Sequence, residues 1–146
     1  MNFGKFSGMI EGEIRSAPVN SLEKTVIVIE DEPDMAEMFA EMVRLMGLQV
    51  IKSHSGMRAI DLIAEKKPSV VLLDMMMPDV SGLEVLRHIH RDPRLSRIPV
   101  IVVSAKSLPS DIKKGLDAGA SFYLTKPVSF VDLKRALDYV AQATVD

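Results

Sequence analysis

The sequence predicts an α/β fold in which a five-stranded parallel sheet is covered by helices on both faces. Three observations predict it. Five short apolar runs, Thr25-Val-Ile-Val-Ile29, Gln49 to Lys52, Val70 to Leu73, Val100 to Val103 and Phe122 to Thr125, alternate with five stretches whose apolar residues recur at helical spacing. Strict alternation requires crossover connections, which make the strands parallel. The central runs are continuous Val, Ile and Leu without polar alternation, as strands buried on both faces should be. Finally, four of the runs feed directly into chemically active residues: Glu30-Asp31, Asp74, Ser104 and Lys126-Pro127.

Each element has a local reason. Pro33 opens the first helix, where Met35, Met38, Phe39, Met42, Leu45 and Met46 recur three and four apart, and Gly47 stops it. The second strand, Gln49 to Lys52, leads to a helix from Gly56 to Lys66 with Ala59, Ile60 and Ile63 inward, closed by Pro68. The third strand passes through the Asp74 loop to a helix from Gly82 to Arg91 with Leu83, Leu86 and Ile89 on one side. After Pro99 come the fourth strand, a helix from Ser110 to Ala118, the fifth strand, and a last helix from Ser129 to Val140 with Leu133, Ala136, Leu137 and Val140 toward the core. This pattern reads as a flavodoxin-like, doubly wound (βα)5 sandwich with strand order 2-1-3-4-5. In that order the site lies outside the carboxyl ends of the strands, where the first and third are neighbours.

A chain of 146 residues fits one domain. Residues 1–22, diluted by Gly4, Gly8, Gly12, Ser7, Ser16, Pro18 and Asn20, read as a flexible N-terminal extension, and 23–146 as the folded domain. Phe3, Phe6, Ile10 and Ile14 fall near helical spacing, but three glycines each cost a short helix about 1 kcal/mol. A net charge of −2 with acids and bases interspersed advertises no nucleic acid. The absence of cysteine excludes disulfides, thiolate chemistry and Cys-based zinc. No membrane span or signal-peptide core is present, so a soluble cytoplasmic protein is expected.

Glu30, Asp31 and Asp74 at neighbouring strand ends repel one another unless a cation joins them. An oxygen-only, acid-rich site with no His or Cys nearby selects a hard divalent ion, Mg2+ retaining several waters. Lys126 presents a compact positive charge for a phosphoryl oxygen, Ser104 a hydroxyl donor, and Asp74 a central nucleophile for phosphorus, giving an aspartyl phosphate. Phosphorylation adds nearly two negative charges at one spot, which draws the hydroxyl inward, shifts the loop that Ser104 begins and vacates space for Tyr123. Gly115 weakens the fourth helix, which is therefore expected to be the mobile one. His54, His88 and His90 read as structural or exposed, and the last two point to different sides of their helix. The run Met75 to Met77 reads as partly core and partly loop.

Glu30-Asp31, Asp74-Met-Met-Met-Pro78 with Gly82, Ser104-Ala105, Tyr123 and Lys126-Pro127 resemble, in order and spacing, the markers of the receiver domain of bacterial two-component response regulators, over about Glu23 to Val140. The resemblance implies that Asp74 accepts phosphate from a phosphohistidine of a sensor histidine kinase or histidine phosphotransfer protein. It implies that Glu30, Asp31, Asp74 and the backbone carbonyl of Met76 bind Mg2+. It makes Ser104 and Tyr123 a switch pair, Lys126 the phosphoryl clamp and Lys126-Pro127 a cis bond, with Met76 and Lys106 tuning phosphoryl lifetime. Such a domain catalyses only its own phosphorylation and dephosphorylation, so no separate turnover substrate is expected. The output is a downstream protein target reading the surface of the fourth helix, fifth strand and fifth helix.

Ser121-Phe122 stand where dimerising regulators carry paired acids, so a monomer or weak dimer is expected, with Phe122 available to another partner. Haloacid-dehalogenase-type and Toprim-type chemistries need a D-x-D arrangement that Glu30-Asp31-Glu32-Pro33 and Asp74-Met-Met76 lack, and an acidic loop after the first strand repels the phosphate of a flavin. A phosphorylation-independent pseudo-receiver acting as an interaction module is the alternative, which the complete acid set argues against.

Overall fold

The computed structural model describes residues 24–143. The extension assigned to residues 1–22 and the boundary at 23 lie outside the described residues, as do residues 144–146. Within them the order is β1 (Thr25–Ile29), α1 (Pro33–Leu45), β2 (Gln49–Ser53), α2 (Gly56–Lys66), β3 (Val70–Asp74), α3 (Gly82–Arg91), β4 (Val100–Ser104), α4 (Pro109–Asp117), β5 (Phe122–Thr125) and α5 (Phe130–Ala143). The sheet order is β2-β1-β3-β4-β5 and every neighbouring pair is parallel. Both features match the sequence expectation.

Successive residues of a strand point to opposite faces, and the core divides accordingly. Val26, Val28, Val70, Leu72, Ile101 and Val103 pack on one side with Phe39 and Val43 of α1 and Leu133, Ala136, Leu137 and Val140 of α5. Ile27, Ile29, Val71, Leu73, Val100 and Val102 pack on the other with Ala59 and Ile63 of α2 and Val85, Leu86 and Ile89 of α3. Every residue of β3 and β4 is buried. Edge strand β2 is not, and exposes Gln49 and Lys52.

Helix termini are fixed by named side chains. Glu32 Oε1 accepts from Met35 N at 2.7 Å ahead of Pro33, Ser55 Oγ from Arg58 N at 3.2 Å, Ser81 Oγ from Glu84 N at 3.2 Å and Ser129 Oγ from Asp132 N at 3.1 Å. Helix α2 runs from Gly56 to Lys66 as expected, and Lys67 in the left-handed conformation, φ 47°, caps it ahead of Pro68. Helix α4 begins with Pro109 as its first residue, one residue earlier than expected, and Leu108 offers it no side-chain cap.

Two expectations are corrected. Strands β3 and β4 run one residue further than their apolar stretches, because Asp74 pairs with Val103 and Ser104 with Thr125 in the continuing ladder. The acid and the hydroxyl are thus part of the sheet, not of loops beyond it. In α1 the buried set is Ala36, Phe39, Ala40 and Val43, while Met38 is 39% and Leu45 74% exposed. Small alanines let the helix axis approach the sheet, and Met35, Met42 and Met46 fill the flanks of that contact. Val43→Ala should therefore cost about 2 kcal/mol in urea unfolding, whereas Leu45→Ala should stay within about 0.5 kcal/mol; equal losses would restore the methionine-stripe face.

Candidate functional site

Parallel strands deliver their carboxyl ends to one edge of the sheet, and the predicted residues meet there. Glu30 directly follows β1, Asp74 ends β3, Ser104 ends β4 and Lys126 follows β5. Oxygens of Glu30, Asp31 and Asp74 lie within 4.8 Å of one another. Lys126 Nζ donates to Glu30 Oε1 at 3.1 Å and stands 3.6 Å from Asp74 Oδ1. Glu30 is only 2% and Asp74 5% exposed, while Asp31 is half-buried. One ammonium against three acids leaves the cluster short of positive charge in a poorly solvated place. Glu30 registers the deficit: burial first, then the neighbouring Asp74 carboxylate, pushes it from its ordinary 4.5 up to about 7 despite the opposing pull of Lys126.

That donor set fits a hard divalent cation. It offers only oxygens, is rich in negative charge and stays open on the Asp31 side. The loop after β3 curls over the cluster: Met76 N donates to Asp74 Oδ1 at 3.2 Å, and Gly82 N donates to Met75 O at 3.0 Å. Met76 itself is exposed, and its carbonyl enters no hydrogen bond among the described residues. Gly82 is required by this curl, because a Cβ there would stand 2.5 Å from Met75 Cα and 2.6 Å from the Asp74 carbonyl oxygen. The start of α3 can approach the Asp74 strand end only without a side chain.

On the other flank, Ser104 is fully buried and its Oγ accepts from Lys106 N at 3.1 Å, which leaves the hydroxyl proton available to another acceptor. Tyr123 is half-buried, and its hydroxyl donates to the Lys106 carbonyl at 2.8 Å. The same loop residue therefore joins both hydroxyls. Gly115 has a role here that its helix propensity did not disclose: a Cβ on it would lie 2.9 Å from Tyr123 Cδ2, so the glycine makes the bed for the ring. The Lys126-Pro127 bond is cis, as the resemblance implied, and Lys126 N donates to Ser104 O at 2.8 Å.

The histidines stay outside the cluster. His54 is exposed with Nδ1 3.0 Å from the Glu30 carbonyl, His88 lies 4.0 Å from Asp92, and the ring of His90 packs over Gly119. Phe122 is half-buried and packs toward α5, where its ring meets Tyr139 edge to face at 5.4 Å. Asp79 was missed by sequence reading. It binds the N-terminus of α2 across the β2–α2 turn, and no local pattern links a residue after Pro78 to Ser55. A separate hollow of about 540 Å3 opens at the opposite, amino end of the sheet, between Val26, Met46, Val70 and Leu137, far from the acids. Among the described residues, no helix is long and apolar enough to cross a membrane.

Known proteins share this fold. The family described as response regulator receiver domain matches residues 26–138. The polar-differentiation response regulator DivK of Brucella ovis is 34% identical over 74% of this chain and 88% of its own length, and that of Brucella anthropi is 33% identical over the same shares. Among solved structures, the receiver domain of Francisella response regulator 1452 superposes with a TM-score of 0.77 at 26% identity, covering 84% of this chain and 99% of the other. The Vibrio cholerae chemotaxis protein CheY4, at 20% identity and TM-score 0.75 over 80% and 98%, shares the fold. With its acid cluster, its central aspartate and its lysine on one sheet edge, the chain belongs to the response regulator receiver domains of two-component signalling.

Proposed function

We propose that the pocket is a Mg2+-dependent phosphoryl acceptor in which Asp74 takes phosphate from a phosphohistidine of a sensor kinase or phosphotransfer protein. The observation that carries this is the meeting of Glu30, Asp31 and Asp74 oxygens within 4.8 Å, with Lys126 Nζ 3.6 Å from Asp74. Glu30, Asp31, Asp74 and the Met76 carbonyl would hold the ion, which when bound neutralises the acids and draws in phosphoryl oxygens. The Asp74 carboxylate attacks phosphorus while the P–N bond to the donor imidazole breaks, and the imidazole leaves with a proton. Lys126 balances charge on one phosphoryl oxygen, and Ser104 donates its hydroxyl proton to another. The protein acts only on itself in this reaction. As a cytoplasmic relay, it passes the change to a separate protein target.

Output follows from what Ser104 already holds. Its Oγ fixes Lys106 N, and Tyr123 fixes Lys106 O, so drawing Ser104 toward a new phosphoryl group disturbs the loop that seats Tyr123 on α4. The surface of α4, β5 and α5 changes with it and alters the fit of a protein partner. Incubated with acetyl phosphate and Mg2+ and weighed intact, the wild type should gain one phosphoryl mass and Asp74→Asn none. Lys126→Ala should gain it poorly or fail to signal. A wild type that gains no mass would leave only phosphorylation-independent partner binding.

The proton on Glu30 gives a second test. A carboxyl raised from 4.5 to about 7 by folding keeps its proton in the native state where the open chain has lost it. Metal-free protein therefore loses stability as pH rises from about 4.5 through about 7, because the native state binds more protons across that window. Mg2+ displaces the same proton, so its affinity rises over the window and it lifts Tm most at the alkaline end. Thermal melts in EDTA and in Mg2+ should show both slopes, and Glu30→Gln should flatten the metal-free one; an unchanged slope in that variant would assign the effect to another group.

A further inference from the structure

Asp79 sits in the loop between β3 and α3, away from the acid cluster, yet it is among the most heavily bonded carboxylates of the described residues. Its Oδ2 accepts from Ser55 Oγ at 2.8 Å and from Met57 N at 3.1 Å. Its Oδ1 accepts from Val80 N at 2.9 Å and from Gly56 N at 3.4 Å. These bonds, the Ser55 hydroxyl first, hold its carboxyl down at about 2, so the charge persists at any ordinary pH. At the start of helix α2, Ser55 Oγ takes only Arg58 N, and the Asp79 carboxylate takes the Gly56 and Met57 N–H groups from a different loop. What the additional carboxylate does is tie one loop to another.

The tie closes a ring around the pocket. Glu30 N donates to Ser53 O at 3.0 Å, and the Glu30 carbonyl lies 3.0 Å from His54 Nδ1. Ser53 Oγ donates to Ser55 O at 3.0 Å, and Ser55 reaches Asp79. From Asp79 the chain runs back through Pro78 and Met77 to Met76, whose N–H is held by Asp74. The Met76 carbonyl thus hangs on a short span between two fixed points, the Asp74 carboxylate and the Asp79 clamp. Close packing supports the second point, because a Cβ on Gly56 would stand 2.5 Å from Val80 Cγ1.

We propose that Asp79 is a positioning residue for divalent-cation binding: by clamping the β3–α3 loop to the first turn of α2, it sets where the Met76 carbonyl stands relative to Glu30 and Asp74. The inference rests on the reading of the pocket as a Mg2+-dependent acceptor. A helix cap alone would contribute stability and nothing else. A clamp acts on the metal requirement and leaves the chemical step untouched.

The two separate in a titration. Asp79→Ala should raise the Mg2+ concentration for half-maximal phosphorylation by acetyl phosphate roughly tenfold, the scale on which partners of ligating groups act, while the limiting rate at saturating Mg2+ changes little. Asp79→Asn keeps one acceptor oxygen and should fall between Ala and wild type. Ser55→Ala removes one bond of the clamp and should shift the requirement less than Asp79→Ala. Val140→Ala, at the far end of the sheet, should lower Tm without moving the Mg2+ requirement. Calorimetry with Mg2+ alone reads the same order without phosphorylation. If wild type and all clamp variants bind Mg2+ equally, or Val140→Ala shifts binding as much as Asp79→Ala, the clamp is refuted with the pocket intact. If the wild type binds no Mg2+, the acceptor reading itself falls. Should Asp79→Ala not fold, the Asn and Ser55 variants carry the test.

Discussion

An unbalanced charge at the mouth of the sheet is the constraint on which the rest depends. Three carboxylates and one ammonium share a space where two of the acids are almost wholly withdrawn from water. Such a cluster is unfavourable unless a proton or a cation completes it. In the bare protein a proton on Glu30 does so in part, which is why that group stays protonated to about pH 7. The fold concentrates the charge because a parallel sheet has no means of dispersing it: all five strand ends emerge on one edge, and β1 and β3 are neighbours. Burying the strands and crowding the acids are the same structural act.

The surrounding backbone is shaped to keep that crowding tight. Gly82 lets α3 start in contact with the Asp74 carbonyl, and Gly115 lets Tyr123 lie on α4, so on each flank a helix meets a strand residue through a missing side chain. The sheet ladder extends through Asp74 and Ser104, which takes the torsional freedom of a loop away from the two groups whose placement matters most. The bonds of Lys126, through its side chain to Glu30 and through its backbone to Ser104, span from β1 across to β4.

Much of this was legible in the sequence because it rests on periodicity and strand-end chemistry. Unalternated Val, Ile and Leu runs gave the strands their burial, and Pro33, Gly56 and Gly82 marked helix starts that the structure keeps. Glu30, Asp31, Asp74 and Lys126 were readable because ionisable residues at the ends of buried strands stand out against their neighbours. The rest depends on contacts between residues far apart in the chain. Asp79 meets Ser55, Tyr123 meets Gly115 and Phe122 meets Tyr139 only once α2, α4 and α5 have docked. The face of α1 was misjudged for a related reason: bulk hydrophobicity favours the methionines, whereas closeness to the sheet favours Ala36 and Ala40, and the second consideration decides.

The two flanks of the pocket are built to different stiffness, and that asymmetry gives an added charge a direction to act in. Toward α2 and α3 the loop is held by the three bonds that Asp79 makes to Ser55, Gly56 and Met57 and by the Gly82–Met75 backbone bond. Toward α4 the β4–α4 loop is held through Lys106 by two hydroxyls, Ser104 and Tyr123. The helix it enters has no side-chain cap at Leu108 and a glycine in its interior. A charge added at Asp74 would act through the flank with the fewest ties, since neutral hydroxyl bonds hold less strongly than charge-assisted ones. Under the proposed chemistry, the soft flank is also the one whose hydroxyl, Ser104, the phosphoryl oxygens would recruit. On that proposal, a rigid α2–α3 side would do for the pocket what a clamped jaw does for a moving one, keeping Glu30, Asp74 and the Met76 carbonyl still while α4 and Tyr123 respond.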